Sequence, residues 1–590
     1  GSFGVDPGND ITLGSINGTA NTYIFADSRN TLRIADFDGN TATPGVVKGY
    51  YVSLAGADGL SVGDLAASGA VDGIAIGLYS KSGSITAGAA LSTNPVGDFA
   101  VNAQTESGAL ISMASAEAGL VRLSAQQGEI RVGTGSGSTF VGGAVTARTG
   151  GISLSGREGV IAGALTAASQ VDVSAARGSV VVGAVIGNGP AALSGSPCDG
   201  LTVCIGAGFD GTDGSGRTVT TGAVTASAGS VLMAGRDGLT TGGAVLAVAG
   251  SVEIRSPAGT VDTTAGAVTA GSSTGAYDAT LSGQSLNLGD VMARRDIDLS
   301  ANGATGSLNT GVLTATRALK VASVAGFGIA TTKIGGTPQS VLLSSADGGV
   351  CLGTLVGGVC TGQALSKNSS SVELVGRTGV TSGDLGAKSL RVTVSEGAAV
   401  SGVVTSAEGV DIAARDGVKT AGVTAQKGVS LVASSGTVDA GAVTARDGTV
   451  LLQGRTGVKA GAITQARTGG ALQVPDIDLI ADGGSIAVGA VSGTGSLRGR
   501  ALDTLAIGAV SGVDAVQLTA GKALTASGAI ASRGGVELRS DTAGVGVQDV
   551  TAGGAVTVTA RDAVTAGDVV GATTTAGDVT LTSTDGALTV

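Results

Sequence analysis

Pairs of carboxylates are the side chains of this 590-residue sequence that could do acid–base chemistry. There is no histidine, which excludes the Ser-His-Asp and Cys-His nucleophile systems. Two carboxylates side by side are what a polysaccharide-cleaving enzyme would need. Three pairs have close spacing: Asp296 and Asp298, Asp476 and Asp478, and Asp210 and Asp213. Because alternate residues of any exposed strand point to one face of a sheet, we interpret these pairs as ordinary strand positions and predict no catalytic residue.

Metal and nucleotide sites have only weak signals. The segment DFDGN at 36–40 resembles half of a calcium loop, but the downstream bidentate Glu is missing. The cysteines lack CxxC spacing and the chain has no histidine, which disfavours a zinc site. No phosphate-binding loop stands out from the glycine-rich background. We predict no metal site and no cofactor.

The four cysteines form two local pairs. Cys198 and Cys204 are spaced CDGLTVC, and Cys351 and Cys360 are spaced CLGTLVGGVC. This proximity predicts two disulfides, each within a stretch where the repeat described next is interrupted. Because disulfides persist in oxidising compartments, the cysteines favour a secreted protein.

The pentad GAVTA and its near copies recur about every twenty residues and dominate the sequence. A period of this length indicates stacked structural units that contact only their neighbours. The copies begin at Gly143, Gly163, Gly183, Gly222, Gly243, Gly266, Gly289, Gly311, Gly383, Gly402, Gly422, Gly441, Gly461, Gly489, Gly508 and Gly528.

Each repeat has the pattern of strands rather than of a helix. The units that begin at Val410, Val429 and Val450 each hold three short runs rich in Val, Leu, Ile and Thr, and each run ends near Gly. The first run of a unit alternates apolar with polar residues, which is typical of a strand. Abundant Gly and the lack of an amphipathic face disfavour a helix, and Gly without a strict period of three disfavours collagen.

Three strands per repeat predict a three-sided parallel β-helix with coils of about 20 residues. Each strand would pair with its counterpart one repeat later, which is parallel pairing. At about 4.8 Å per coil, roughly 25 to 29 coils would make a rod of about 120 to 140 Å. The general preference for right-handed crossovers predicts a right-handed helix.

Composition fits a narrow, closely packed lumen. Gly contributes 105 residues and would supply tight corners, while aromatic residues make up 2%. A net charge of −11 disfavours nucleic acid as a partner, and no apolar run is long enough to span a membrane. Charged corner motifs predict a ladder of Arg with Asp or Glu along one edge of the solenoid. This ladder either keeps the edge soluble and prevents lateral aggregation, or it forms a surface that binds an acidic glycan or a partner. The motifs are at Arg157, Arg236, Arg377, Arg415, Arg446 and Arg455.

The sequence divides into two regions. Residues 1–140 lack a clean pentad period and hold most of the aromatic residues, which predicts irregular coils with larger core side chains. Residues 141–590 are predicted to be a regular solenoid with insertions near 184–221 and 316–382. Tyr50, Tyr51 and Tyr79 are an alternative signal, for a surface that contacts another protein or a glycan.

The strand, corner and GAVTA pattern resembles that of the filamentous haemagglutinin-like large exoproteins of Gram-negative bacteria. The resemblance covers nearly all of the chain from about residue 140, and NPVG at 94–97 is close to the NPNG-type signature of their secretion domain. It implies a right-handed β-helical fibre that is exported through an outer-membrane partner by two-partner secretion. Members of this family act as adhesins or as stalks that carry a toxin.

We therefore predict a structural, non-enzymatic fibre at the bacterial cell surface, an adhesin or stalk. The predicted partners are a host-surface protein or glycan, the outer-membrane secretion partner and, end to end, further copies of the chain. The incomplete coil from Val579 onward predicts a segment of a longer protein. Two alternatives remain open: a self-assembling filament or surface-layer subunit, and a polysaccharide-processing β-helix enzyme.

Overall fold

The chain folds as an all-β parallel solenoid of about 24 turns, spaced about 21 residues apart, with no helix in the part that the structure describes. This confirms the predicted fold class. The strands divide into two compact units, Gly1–Ala315 and Thr316–Val590. The computed structural model describes residues 2–5, 11–18, 22–34, 45–94, 100–108, 110–135, 139–189, 201–207, 217–272, 274–304, 306–324, 329–356, 359–467, 476–572 and 577–590.

In the first unit, strands of successive coils pair in register to form three parallel sheets. Sheet 1 contains Ser2–Val5, Tyr23–Ser28, Tyr51–Gly56, Ile74–Ser80, Ala100–Thr105, Leu120–Ala125, Ile152–Gly156, Val171–Ala175, Leu201–Ala207, Ser230–Gly235 and Asp296–Ala301. Sheet 2 contains Ile11–Leu13, Thr31–Ile34, Gly59–Ser61, Glu129–Thr134, Gly159–Ala162, Ser179–Val182, Thr218–Thr221 and Gly238–Thr241. Sheet 3 contains Ile16–Asn17, Val47–Gly49, Leu65–Ala67, Val145–Ala147, Leu165–Ala167, Val185–Gly187, Val224–Ala226, Val245–Ala247, Val268–Ala270 and Val291–Ala293.

Some strands of the first unit turn a corner without a break. Val252–Thr263 and Ala279–Leu288 run from sheet 1 into sheet 2. Ile85–Ser92, Leu110–Ala118 and Leu308–Ala315 run from sheet 2 into sheet 3. Val141–Gly142 pairs antiparallel with Glu129–Thr134.

The second unit repeats the arrangement. Its sheet 1 contains Ala318–Ser323, Ser340–Ser345, Val410–Ala414, Val429–Ala433, Val450–Gly454, Ile477–Ala481, Leu497–Ala501, Val516–Ala520, Val536–Ser540, Val556–Ala560 and Val579–Ser583. Sheet 2 contains Ile329–Gly336, Gly349–Leu352, Gly379–Thr381, Gly457–Ala460, Ser485–Val488, Leu505–Ile507, Leu524–Ala526, Val545–Gly546, Val564–Thr565 and Leu588–Thr589. Sheet 3 contains Ile463–Gln465, Val491–Ser492, Val510–Val513, Ile530–Ser532, Val550–Ala552 and Val569–Val570.

Corner-turning strands occur here too. Leu365–Gly376 and Leu385–Val394 run from sheet 3 into sheet 1, and Ala398–Ser406, Gly417–Ala425 and Thr437–Ala445 run from sheet 2 into sheet 3. An antiparallel hairpin of Leu355–Val356 and Val359–Cys360 follows Gly349–Leu352.

The predicted insertions and the predicted boundary near residue 140 stay predictions. Strands such as Leu201–Ala207 and Ser340–Ser345 nevertheless keep the coil register inside the two stretches where the pentad is interrupted. Within the described residues, no helix is long and apolar enough to cross a bilayer.

The pentad GAVTA places only two of its five side chains in the lumen. In the copy at 441–445, Val443 and Ala445 are buried, Thr444 points outward and Ala442 is exposed. The first Ala is exposed because it lies where the continuous strand Thr437–Ala445 turns the corner from sheet 2 to sheet 3. The Gly is needed at that corner, since a Cβ on Gly441 would lie 1.8 Å from the Ala421 carbonyl oxygen of the preceding coil.

Stacked aliphatic side chains fill the lumen. Val404, Val423 and Val443 occupy the same position of three successive coils and are each at most 1% exposed. Their β-branched side chains pack in layers along the inside of sheet 3. This stacking is the repeated contact that holds one coil on the next.

In four of the described coils, an Asp in place of the first Ala of the pentad accepts a backbone hydrogen bond from the following coil, a feature that the sequence pattern does not single out. The Asp384 Oδ1 accepts a hydrogen bond from the backbone N–H of Val403 at 2.7 Å, and the Asp290 Oδ1 accepts one from Val312 at 2.8 Å. The carboxylate thus satisfies a corner N–H of the following coil. These residues are Asp64, Asp290, Asp384 and Asp549.

Replacing Asp384 with alanine is expected to lower the free energy of unfolding by about 1 kcal/mol, the typical contribution of a side chain that caps a backbone N–H. Asp384→Asn keeps an acceptor oxygen and is the matched control. Urea unfolding of the two variants checks the assignment. An equal loss of unfolding free energy in Asp384→Ala and Asp384→Asn would show that an acceptor oxygen at this position does not stabilise the corner.

Candidate functional site

The carboxylate pair at residues 476 and 478 is split between two environments. Asp478 lies on the outer face of Ile477–Ala481, and its Oδ1 accepts a hydrogen bond from the Arg498 Nε at 2.9 Å. Asp476 precedes the strand and is 7% exposed. Its Oδ1 accepts from the Arg467 Nη1 at 3.0 Å and its Oδ2 accepts from the Ser496 N–H at 3.1 Å. The expectation that both point outward is wrong for Asp476, because the corner backbone needs its carboxylate.

The pair at residues 296 and 298 does share the outer face of one strand. Asp296 and Asp298 are both half-buried in Asp296–Ala301. Arg295 lies 3.4 Å from the Asp296 carboxylate and donates to the Asp278 Oδ1 at 2.7 Å. Hydrogen bonding to Asp278, followed by the attraction of that charge, raises the pKa of Arg295. The guanidinium therefore joins the carboxylates of neighbouring coils.

The remaining acidic candidates lie outside the described residues: Asp210, Asp213 and the DFDGN segment at 36–40. Among the residues that the structure does describe, no three His, Cys, Asp or Glu side chains are close enough together to hold a metal ion.

The cysteines that the structure describes are all disulfide-bonded. Cys351 and Cys360 form a disulfide that joins the strand Gly349–Leu352 to the end of the hairpin. Cys204 is buried in sheet 1 and is disulfide-bonded, whereas its predicted partner Cys198 lies outside the described residues. The Cys351–Cys360 bond ties the hairpin to the coil from which it projects.

The charged corner motifs belong to two edges rather than one. Arg377 and Arg415 lie where sheet 1 turns into sheet 2, but Arg446 follows Thr437–Ala445 at the corner between sheets 3 and 1. The ladder between coils is nevertheless present. Arg377 lies 2.8 Å from both the Asp347 and the Glu396 carboxylates of the adjacent coils. The hydrogen bond from Arg377 lowers the pKa of Glu396.

Aromatic rings lie on the outer face of the first unit near one end of sheet 1. Tyr23 packs against Tyr50 with ring centroids 5.2 Å apart, and Phe25 packs against Tyr51 at 5.3 Å. Tyr79 lies on the strand of the next coil, where its register partner is Ala55. We call these five residues the aromatic surface.

The rings of the aromatic surface are not the larger core side chains that the sequence predicts for this region. Phe25 is 44% exposed and Tyr23 is 37% exposed, while Ile24 between them is fully buried. The alternation in Tyr23–Ser28 places the rings outside and small aliphatic groups in the lumen. The outward position of the rings could have been predicted from the sequence, since Tyr23 and Phe25 alternate with the aliphatic residues Ile24 and Ala26 along the strand. Exposed rings in tilted pairs are suited to contacts with apolar sugar faces or protein side chains.

Tyr79 is fixed by a hydrogen bond at the edge of this surface. Its hydroxyl donates to the Glu106 Oε1 at 2.7 Å, and this bond, followed by desolvation, raises the pKa of Tyr79. We expect Glu106→Gln to return the tyrosinate transition toward lower pH, because the carboxylate acceptor favours the protonated hydroxyl. Ultraviolet difference titration measures the transition, with Tyr79→Phe to assign it. An unchanged titration in Glu106→Gln would contradict the bond.

Comparisons of the chain with protein-family models, with curated proteins and with solved structures found no match.

Proposed function

We propose that the chain is a structural β-solenoid, an extracellular fibre or stalk that holds a binding or effector element away from a cell. One observation carries the proposal: the side chains with the greatest potential for chemistry are used to join coils. Asp476, Asp384 and Arg377 each bond to a neighbouring coil or corner. Continuous parallel pairing gives such a scaffold stiffness and few free backbone groups.

The extracellular part of the proposal is supported by the Cys351–Cys360 disulfide, because such bonds persist in oxidising compartments. The aromatic surface supports a contact with a protein or glycan at the surface of another cell. Under this proposal the chain has no turnover of its own, and export proceeds through an outer-membrane partner.

The test is to treat intact cells that naturally produce the chain with external protease and to trap free thiols at lysis. We expect the protease to remove the protein and Cys351 to be oxidised. A protein that is protected in intact cells but cleaved after lysis, with Cys351 as a free thiol, would overturn the extracellular role. Release of reducing ends from a panel of polysaccharides by the purified protein would overturn the structural role.

A further inference from the structure

An open cleft lies on the outer side of sheet 3 in the second unit. Its volume is about 540 Å³, and Asn368, Thr405, Thr424, Gln426 and Arg446 supply its polar lining. Pockets that bind small molecules have volumes of about 300 to 1,000 Å³. No carboxylate lines the cleft.

An overhang at one end gives the cleft its shape. Leu365–Gly376 turns from sheet 3 into sheet 1, and Asn368 lies at this corner, above Gly386 of the next coil. A Cβ on Gly386 would lie 2.7 Å from the Asn368 Oδ1 and 3.4 Å from the Thr405 Oγ1. Because Gly386 has no side chain, the Asn368 amide can lie directly against this corner of the next coil.

Two threonine hydroxyls lie on the floor of the cleft. Thr405 and Thr424 are register partners in successive coils, so their hydroxyls repeat at about the 4.8 Å coil spacing. Gln426 adds an amide beside them. A ligand that fits must be extended along the solenoid axis and carry repeated hydrogen-bonding groups.

Arg446 supplies positive charge at the other end of the cleft. In the same unit, Arg377, Arg391 and Arg498 each face a carboxylate. Arg446 has no ion pair among the described residues, and it is exposed. A guanidinium binds a carboxylate through two parallel hydrogen bonds.

We propose that this cleft binds a carboxylate-bearing saccharide, a chain of uronic acid units, with one carboxylate on Arg446 and the ring hydroxyls on Asn368, Thr405 and Thr424. Hydroxyl and amide side chains both donate and accept, as sugar hydroxyls require. An extended peptide is disfavoured because the strands below are already paired on both sides and offer no free edge. A nucleic acid is disfavoured by the net charge of −11 and by the single cation.

The experiment titrates the intact protein with tetragalacturonate by calorimetry, and with maltotetraose as the neutral probe of similar length. We expect tetragalacturonate to bind. Maltotetraose should bind at least about tenfold more weakly, because it lacks the carboxylate that would form a charge-assisted hydrogen bond with Arg446. Arg446→Gln is expected to raise the Kd for tetragalacturonate about tenfold, and Gly386→Val is expected to weaken binding by displacing the Asn368 amide, which a Cβ at this position would clash with.

The matched control is Arg455→Gln, since Arg455 is also an exposed corner arginine but does not line the cleft. Arg446 is exposed, so its variant should keep the melting temperature even if Gly386→Val does not. Absence of tetragalacturonate binding, equal affinity for maltotetraose, or an equal loss in Arg455→Gln would each overturn the proposal. The cleft does not depend on export, so its failure leaves the proposed scaffold role intact.

Discussion

Replacing Val423 with aspartate is expected to lower the free energy of unfolding by roughly 3 kcal/mol or more. Val423 is 1% exposed and lies between Val404 and Val443 in the lumen. A carboxylate there has no polar partner, and even its protonated form would lose the hydrogen bonds that it makes to water. The measurement is urea unfolding, followed by limited proteolysis to locate the opened coils.

Ala421→Asp is the matched control for this variant. Ala421 lies in the same strand, Gly417–Ala425, but is exposed, so its aspartate stays in water. Its stability should change by about 0.5 kcal/mol or less. Native stability in Val423→Asp would show that this strand does not face the lumen.

Removing the carboxylate of Asp476 is expected to have the second largest effect. Asp476→Ala should cost about 3 kcal/mol, because the Arg467 guanidinium, 19% exposed, loses its hydrogen bond to Asp476 and the Ser496 N–H loses the Asp476 acceptor. Thermal and urea unfolding of the purified variant measure the change.

Asp478→Ala is the control that distinguishes a stabilising role of Asp476 from a catalytic role of the pair. Asp478 pairs on the outer face with Arg498, which is 46% exposed, and such surface pairs contribute about 0 to 1 kcal/mol. A similar loss of stability in both variants would contradict the division of the pair. A loss of saccharide cleavage in both, with stability unchanged, would instead identify a catalytic pair.

The coil could be predicted from the sequence because its signal is local and repeated. The alternation in Val410–Ala414 and the spacing from Val410 to Val429 and Val450 correspond directly to the observed register. Val443 and Ala445 are buried for the same reason, since they occupy alternate positions of a strand that has one buried face.

The corners could not be predicted in the same way. Arg415 and Arg446 share the motif ARDG, yet they lie on different edges, because the motif does not state which strand precedes it. The burial of the Asp476 side chain depends on its contacts with Arg467 and with Ser496 of the next coil. The spacing of the two aspartates in the sequence predicts neither contact. The cleft requires Asn368, Gly386 and Arg446 from different coils, and only the stacking brings them together.

The register of the pentads is tested most directly by disulfide trapping between neighbouring coils. Thr444 and Thr464 are Cα partners on the outside of sheet 3, and adjacent strands about 4.8 Å apart are within disulfide range. We expect Thr444→Cys with Thr464→Cys to cross-link on mild oxidation, as read by peptide mapping under non-reducing conditions. The pair Thr444→Cys with Ala462→Cys is displaced by two residues and should stay reduced. Cross-linking of the displaced pair in preference to the aligned pair would contradict the stacked coils on which the scaffold role depends.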